Sequence, residues 1–70
     1  MPIVIAPTNT ILKIVRLATD DKTKKHLENL GITLNGEIIV LSVSGGSVVC
    51  KVKDCRVALD KEIATKVFVA

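Results

Sequence analysis

Three side chains of this sequence could act as soft metal ligands: Cys50, Cys55 and His26. Four residues separate the two cysteines, which lies outside the usual zinc-knuckle spacing, and the chain has a single histidine. In the strands predicted below, both cysteines fall on the inward face. We therefore predict no metal site and expect both cysteines to be buried free thiols that pack as small hydrophobes. A weak contact with a divalent metal ion through carboxylates stays open, with Asp20, Asp21 and Glu28 as candidates.

No constellation in the sequence could perform catalysis. His26 has no nucleophile partner at a recognisable spacing, and the serines lie in or beside a predicted hairpin turn. No glycine pattern matches a phosphate-binding loop. We therefore predict that the chain is not an enzyme and neither binds nor hydrolyses GTP. His26 is interpreted as a solvated helix residue.

A cluster of lysines, Lys22, Lys24 and Lys25, lies near the start of a predicted helix. Its plain interpretation is a solubilising face, and its functional interpretation is a docking surface for an acidic protein. Nucleic acid is a poor partner, because stacking platforms need several aromatic residues and the chain has only Phe68. Phe68 faces outward on the last predicted strand, where it could anchor a contact or be covered by the N-terminal segment. The predicted partner-binding residues are Lys22, Lys24, Lys25, His26 and Phe68.

Composition limits the class of protein. Seventy residues make one small domain over residues 1–70, and a hydrophobic content of 49% excludes disorder. With one aromatic residue the core must be aliphatic, and a formal net charge of +3 supports only a mildly basic patch. No run approaches the ~20 apolar residues of a membrane span, and the N-terminus does not look like an export signal. We therefore expect a cytosolic protein with reduced cysteines and no membrane insertion.

A short helix must position the lysines. Asp20 is the predicted N-cap of a helix over residues 21–30, with Leu27 and Leu30 on one apolar face. Gly31 then supplies the left-handed residue that closes the helix. Asn35 and Gly36 both tolerate positive φ, so they predict a turn into the next strand.

Short strands account for most of the remaining chain. We predict a frayed strand at residues 2–6, a bulged strand at 11–17, and strands at 37–43, 47–53, 55–59 and 66–69. Gly45-Gly46 and Lys53-Asp54 form hairpin turns between them, and Asp60 caps a helical turn over residues 61–65 with Ala64 inward. The predicted inward residues of these strands are Leu12, Ile14, Leu17, Val48, Cys50, Val52, Cys55, Val57, Leu59, Val67 and Val69.

The strand at residues 37–43 is apolar on both faces. With a tight turn at Gly45-Gly46, Ile39, Leu41 and Val43 face the core, whereas a bulge would turn Ile38 and Val40 inward instead. The helix is the simplest cover for the other face, and a partner is the alternative. Taken together, the elements predict a mainly β fold: a small, partly open SH3-like barrel of about five strands, with one inserted α-helix and a short helical turn before the last strand.

The segments LENLGITLNGE and SGGSVVCKVKDCRVALDKEIATKVFV resemble the FeoA family, the small accessory proteins of bacterial ferrous iron transport. The resemblance covers nearly the whole chain. The sequence departs from the family pattern at two places. Leu34 and Asn35 stand where many members carry Pro and Gly, and Thr8, Asn9 and Thr10 replace the glycine usual before the first full strand. The matching positions are Leu30, Gly31, Gly36, Arg56, Val57, Ala58, Leu59, Ala64, Val67 and Val69.

The resemblance implies an SH3-like barrel and a function. It implies a non-enzymatic cytosolic accessory of ferrous iron uptake that binds and modulates the cytosolic GTPase domain of a FeoB-type transporter. The family is also similar to the C-terminal domain of iron-dependent repressors, which implies a transition-metal-responsive module as an alternative. A self-associating interaction domain, forming a homo-oligomer through exposed strands, is a further alternative.

Overall fold

The computed structural model describes all of residues 1–70. A 3₁₀ helix (Ile3–Ile5) precedes five strands and two α-helices. The strands are β1 (Ile11–Leu17), β2 (Glu37–Ser44), β3 (Ser47–Val52), β4 (Cys55–Leu59) and β5 (Val67–Val69), and the helices are α1 (Asp21–Asn29) and α2 (Lys61–Ala64). All strands pair antiparallel in one sheet of order β4-β3-β2-β1-β5. Because β4 and β5 lie at opposite edges and do not pair, the barrel is only partly closed, and the predicted fold class is confirmed.

Strand β1 bends the sheet by pairing with two partners in succession. Residues 11–13 pair with β2, and residues 14–17 pair with β5 across a register shift between Ile14 and Arg16. This irregularity is the bulge predicted for the strand at residues 11–17, in which Lys13 and Arg16, although both are outward, lie an odd number of residues apart. It lets one strand belong to both halves of a small barrel.

The core lies on the inner face of the bent sheet and is wholly apolar, as the composition required. It contains 17 buried residues, and no polar or charged residue is buried. The predicted inward residues are buried, with one exception described below. The core consists of Ile3, Ala6, Leu12, Ile14, Leu17, Leu27, Ile32, Ile38, Val40, Val48, Cys50, Val52, Val57, Leu59, Ala64, Val67 and Val69.

The prediction of a strand at residues 2–6 is wrong, because this segment forms the 3₁₀ helix. Pro2 and Pro7 flank it, and proline has no N–H to give to a strand ladder. The Ala6 amide instead donates to the Ile3 carbonyl at 3.2 Å. The turn places Ile3 and Ala6, three residues apart, into the core, while Pro2 alone bridges to Phe68.

Helix α1 begins and ends where its capping residues predict. The Asp20 carboxylate accepts a hydrogen bond from the Thr23 amide at 2.8 Å, and Gly31 takes the left-handed conformation with φ +95°. The Gly31 amide donates to the Glu28 carbonyl at 3.0 Å and the Ile32 amide to the Leu27 carbonyl at 2.9 Å, which is a Schellman motif. Ile32, which the sequence analysis did not assign to the core, is therefore buried.

The prediction that Leu30 shares the buried face of Leu27 is wrong. Leu30 is the C-cap residue and is 38% exposed, whereas Leu27 is fully buried. The helix has already ended at Leu30, and the left-handed turn at Gly31 brings Ile32 back to the core in its place. This apolar contact between the last helical turn and the residue after the glycine accompanies the Schellman motif.

The ambiguity of β2 is resolved by a bulge. Ile38 and Val40 are buried, and the register against β3 shifts between Val40 and Ser42. The bulged alternative is therefore confirmed, and the set with Ile39, Leu41 and Val43 inward is wrong. Ile39 and Leu41 are half-buried, and Val43 is 39% exposed although it lies opposite the buried Val48 beyond the bulge.

The predicted turns form. Asn35 adopts φ +66°, Gly45 and Gly46 adopt +58° and +87°, and Lys53 in the second hairpin adopts +55°. Gly36 keeps a negative φ, so only Asn35 uses the left-handed freedom expected of both residues. The Asp60 carboxylate accepts from the Ile63 amide at 2.9 Å, which caps α2, and Ala64 is buried as predicted.

Candidate docking surfaces

Helix α1 presents its lysines to solvent, interleaved with acidic side chains. Lys22 and Lys25 are exposed, Lys24 is half-buried and His26 is exposed. A shallow depression on this face is lined by three lysines and by the carboxylates of Asp21 and Glu28, with no apolar side chain. The two carboxylates offset most of the positive charge, and nothing apolar accompanies it. The helix face has the properties of a solvated surface more than those of a docking site.

Phe68 faces outward, but its surroundings cover much of it. It is half-buried, and the Arg16 guanidinium carbon lies 5.6 Å from the ring centroid, within reach of a cation–π interaction. The free edge of β5 is also occupied, because the Val69 amide donates to the Met1 carbonyl at 2.7 Å and the Met1 amino group donates to the Val69 carbonyl at 2.8 Å. The N-terminal segment therefore closes this edge, which the sequence analysis gave as the alternative to a free anchor.

The predicted partner-binding residues come from two elements. Lys22, Lys24, Lys25 and His26 lie on helix α1, whereas Phe68 lies on β5 with the Arg16 guanidinium over its ring. Arg16 comes from β1 and was not among the predicted residues. Arg16 lies directly opposite Phe68 in the pair of strands β1 and β5. The sequence gives no register for that pair, so it could not show this contact.

The two cysteines have different environments. Cys50 is buried, burial raises the pKa of its thiol to about 11, and Sγ donates a weak hydrogen bond to the Val57 carbonyl at 3.4 Å. Cys55 is exposed, so the prediction that it is buried is wrong. Its register opposite Val52 gives it the predicted face, but it is the first residue of edge strand β4, where the core ends.

No group of three or more His, Cys, Asp and Glu side chains lies close enough together to hold a metal ion. Asp20, one of the candidate Fe²⁺ contacts, uses a carboxylate oxygen to cap α1, and its hydrogen bonds from Thr23 lower its pKa below the ordinary value of 3.8. Neither helix has the length and hydropathy that crossing a membrane would require.

A row of four side chains crosses the outer face of the sheet, and sequence reasoning did not assemble it. Ile11 pairs directly with Ile39, Ile39 with Lys51, and Lys51 with Arg56. Directly opposed residues point to the same side of a sheet, so the four side chains form one line, called the outer row below. Ile39 is half-buried, whereas Ile11, Lys51 and Arg56 are exposed. Two features of the sequence pointed toward the outer row: strand β2 is apolar on both faces, and β3 and β4 carry outward basic residues.

The comparisons with known proteins agree with this architecture. The FeoA domain model matches the chain over residues 1–70. The crystal structure of an iron uptake regulatory protein (FeoA) is similar, with a TM-score of 0.86 and 21% identity over 99% of this chain and 93% of that one. The solution structure of iron(II) transport protein A from Clostridium thermocellum has a TM-score of 0.86 and 24% identity over 99% of this chain, which spans 44% of that one. At these identities the likeness shows the fold. No curated protein matches the chain in sequence.

Proposed function

Because the chain belongs to the FeoA family, whose domain model matches residues 1–70, we propose that it is a non-enzymatic cytosolic accessory of ferrous iron uptake. In this proposal it docks on the cytosolic GTPase domain of a FeoB-type transporter and modulates it. The observation that carries the proposal is the family match over the whole chain, together with a fold shared at a TM-score of 0.86.

The arrangement of polar groups supports a binding role over a catalytic one. The core is entirely apolar and no polar or charged residue is buried as a whole, although the Thr19 hydroxyl oxygen is shielded from solvent and has no hydrogen-bond partner. Catalytic groups need a sheltered site with perturbed ionisation, and the thiol with the most perturbed pKa, Cys50, is shifted toward its unreactive protonated form. A protein of this construction acts through its surface.

Isothermal titration of the chain into the purified GTPase domain tests the proposal. We expect saturable binding whose affinity differs between GDP and a non-hydrolysable GTP analogue, and no nucleotide turnover by the chain alone. Absence of binding in every nucleotide state would contradict the docking role. Nucleotide hydrolysis by the chain alone, at a rate above that of a buffer control, would contradict the non-enzymatic role.

The open edge of β4 favours self-association as a second candidate function. In a hairpin with a two-residue turn, alternate residues of β4 direct their backbone groups away from β3, and these are Arg56 and Ala58. A second copy could extend the sheet there, since an unpaired edge is a template for strand pairing. Sedimentation velocity at increasing protein concentration tests this, and a constant monomer mass would rule it out.

A further inference from the structure

The apolar half of the outer row has no cover within the chain. Ile11 is 65% exposed, and its cross-strand partner Ile39 lies beside it. Helix α1 packs elsewhere, because Leu27 and Ile32 enter the core and Gly31 sits against Val52 on the inner face. The helix, expected as the simplest cover for the second apolar face of β2, therefore does not cover it. Two adjacent isoleucines on an exposed sheet are the centre of a small apolar patch.

The basic half of the outer row is electrostatically unfavourable in the free chain. Lys51 lies directly opposite Arg56, and both side chains are exposed. Like charges directly opposed across two strands destabilise a sheet. No acidic residue lies between them in the row, and Glu37, which lines a shallow depression with Ile11, Ile39 and Lys51, is diagonal to Lys51 and not opposite either basic residue. A pair of carboxylates from outside the chain would remove that cost.

We propose that the outer row is the docking face and that it receives an acidic amphipathic segment of the GTPase domain; this inference rests on the proposed function. Apolar side chains of the segment would pack on Ile11 and Ile39, while two carboxylates would meet Lys51 and Arg56. Three strand spacings separate the ends of the row, a span of about 14 Å. A helix of about nine residues covers that length, so one short amphipathic helix suffices.

The same chemistry could attract an anionic membrane, but the charge available is small. Each basic residue near an anionic bilayer contributes about 1 kcal/mol, and two basic side chains give only weak association. A protein segment can instead form directed, partly desolvated hydrogen bonds with Lys51 and Arg56 while burying the isoleucines. The outer row therefore fits a protein partner better than a lipid surface.

Two pairs of variants with matched controls test the proposal by titration against the GTPase domain. The double variant K51E/R56E and its control K22E/K25E on helix α1 both change the formal net charge from +3 to −1. The variant Ile11→Ser removes an isoleucine that is 65% exposed, and its control Ile5→Ser removes one that is 70% exposed in the 3₁₀ helix, outside the sheet. Because all six positions are exposed, the variants are expected to fold, which circular dichroism checks.

We expect K51E/R56E to weaken binding about tenfold or more and K22E/K25E to change it less than about threefold. Ile11→Ser should weaken binding more than Ile5→Ser, and rising salt should weaken the wild type more than K51E/R56E. If the GTPase domain binds the wild type but K22E/K25E is the more damaging variant, this inference falls and the proposed function stands. If the wild type does not bind, both fall.

A vesicle experiment distinguishes an anionic membrane from a protein segment as the partner of the outer row. Wild-type chain is sedimented with phosphatidylserine–phosphatidylcholine vesicles in the absence of the GTPase domain. Little co-sedimentation at physiological salt is expected. Strong co-sedimentation that K51E/R56E abolishes, without any effect of that variant on GTPase-domain binding, would assign the outer row to a membrane and overturn the proposal.

Discussion

Replacing Lys51 with glutamate should stabilise the folded chain while weakening its docking. The substitution converts the like-charged pair Lys51–Arg56 into an opposite-charged pair at the same cross-strand position. A second pair in the same sheet provides a comparison for this change, because Lys13 on β1 lies directly opposite Glu37 on β2. Lys13→Glu makes the reverse conversion, from an opposite-charged to a like-charged pair, with the same residue types.

The size of the effect follows from exposure and register. Cross-strand pairs differ by roughly 0.2–1 kcal/mol, and solvent screening keeps exposed charges toward the lower end. Removing a repulsion of about 0.3 kcal/mol and adding an attraction of about 0.4 kcal/mol gives about 0.7 kcal/mol for Lys51→Glu. For a domain of this size that raises Tm by about 4 °C, and Lys13→Glu should lower it by a similar amount.

Thermal and urea unfolding of both variants, at low salt and at about 1 M NaCl, measures these changes. The opposite signs should be clear at low salt and should shrink at high salt, where the Debye length is about 3 Å. Tm shifts of the same sign in the two variants would refute the reasoning, since identical substitutions would then be acting through something other than their cross-strand partners. Opposite signs that persist unchanged at high salt would refute the electrostatic cause.

Three further predictions concern the core, the thiols and the helix cap. Ile32→Ala should cost about 2–4 kcal/mol in urea unfolding, because the side chain is fully buried, while Leu30→Ala should cost less than about 1 kcal/mol; equal costs would contradict the Schellman packing. Ellman's reagent at pH 8 should modify Cys55 quickly and Cys50 only on unfolding, because burial raises the pKa of Cys50 to about 11, so two fast thiols in the native state would contradict the assignment. Thr23 lowers the pKa of Asp20 below its ordinary 3.8, so the stabilisation from this carboxylate should be present above that value and lost as pH falls through the folded-state pKa. Asp20→Asn should remove that pH dependence from the unfolding curve, and a wild-type dependence that survives the substitution would show that another group causes it.

Local rules predicted most of the backbone. Asp20 and Asp60 are caps, Gly31 ends a helix and Gly45-Gly46 makes a hairpin, because each of these depends on hydrogen bonds or φ values within a few residues. Alternation then assigned the buried faces of β3 and β5. These signals are short-range, so a sequence carries them whatever the rest of the chain does.

The errors arose where long-range packing decides the outcome. Whether β2 is bulged depends on its register with β3, so periodicity alone left two equally consistent sets of inward residues. Cys55 lies on the predicted face, but it is the first residue of an edge strand and is therefore exposed. Alternation along a strand predicts which face a residue takes, and it does not predict which strand lies at the edge. The 3₁₀ helix at Ile3–Ile5 is short and apolar like a strand, and only its seating in the core distinguishes it.

The outer row was hidden for the same reason. Its four residues come from four strands, and their alignment requires the registers of three strand pairs. The predicted helix lysines, in contrast, are neighbours in sequence and were visible at once. The sequence therefore pointed to the lysine face of helix α1, where carboxylates offset most of the positive charge. It did not point to the outer row, because only the folded sheet brings those four residues together.

The most direct test of the docking role is a two-dimensional amide NMR titration of isotope-labelled chain with the GTPase domain, in GDP and in a non-hydrolysable GTP analogue. We expect saturable shifts centred on Ile11, Ile39, Lys51 and Arg56, larger in one nucleotide state than in the other, with smaller changes along helix α1. A spectrum that stays unchanged at saturating GTPase domain in both nucleotide states would contradict the role in regulating a transporter.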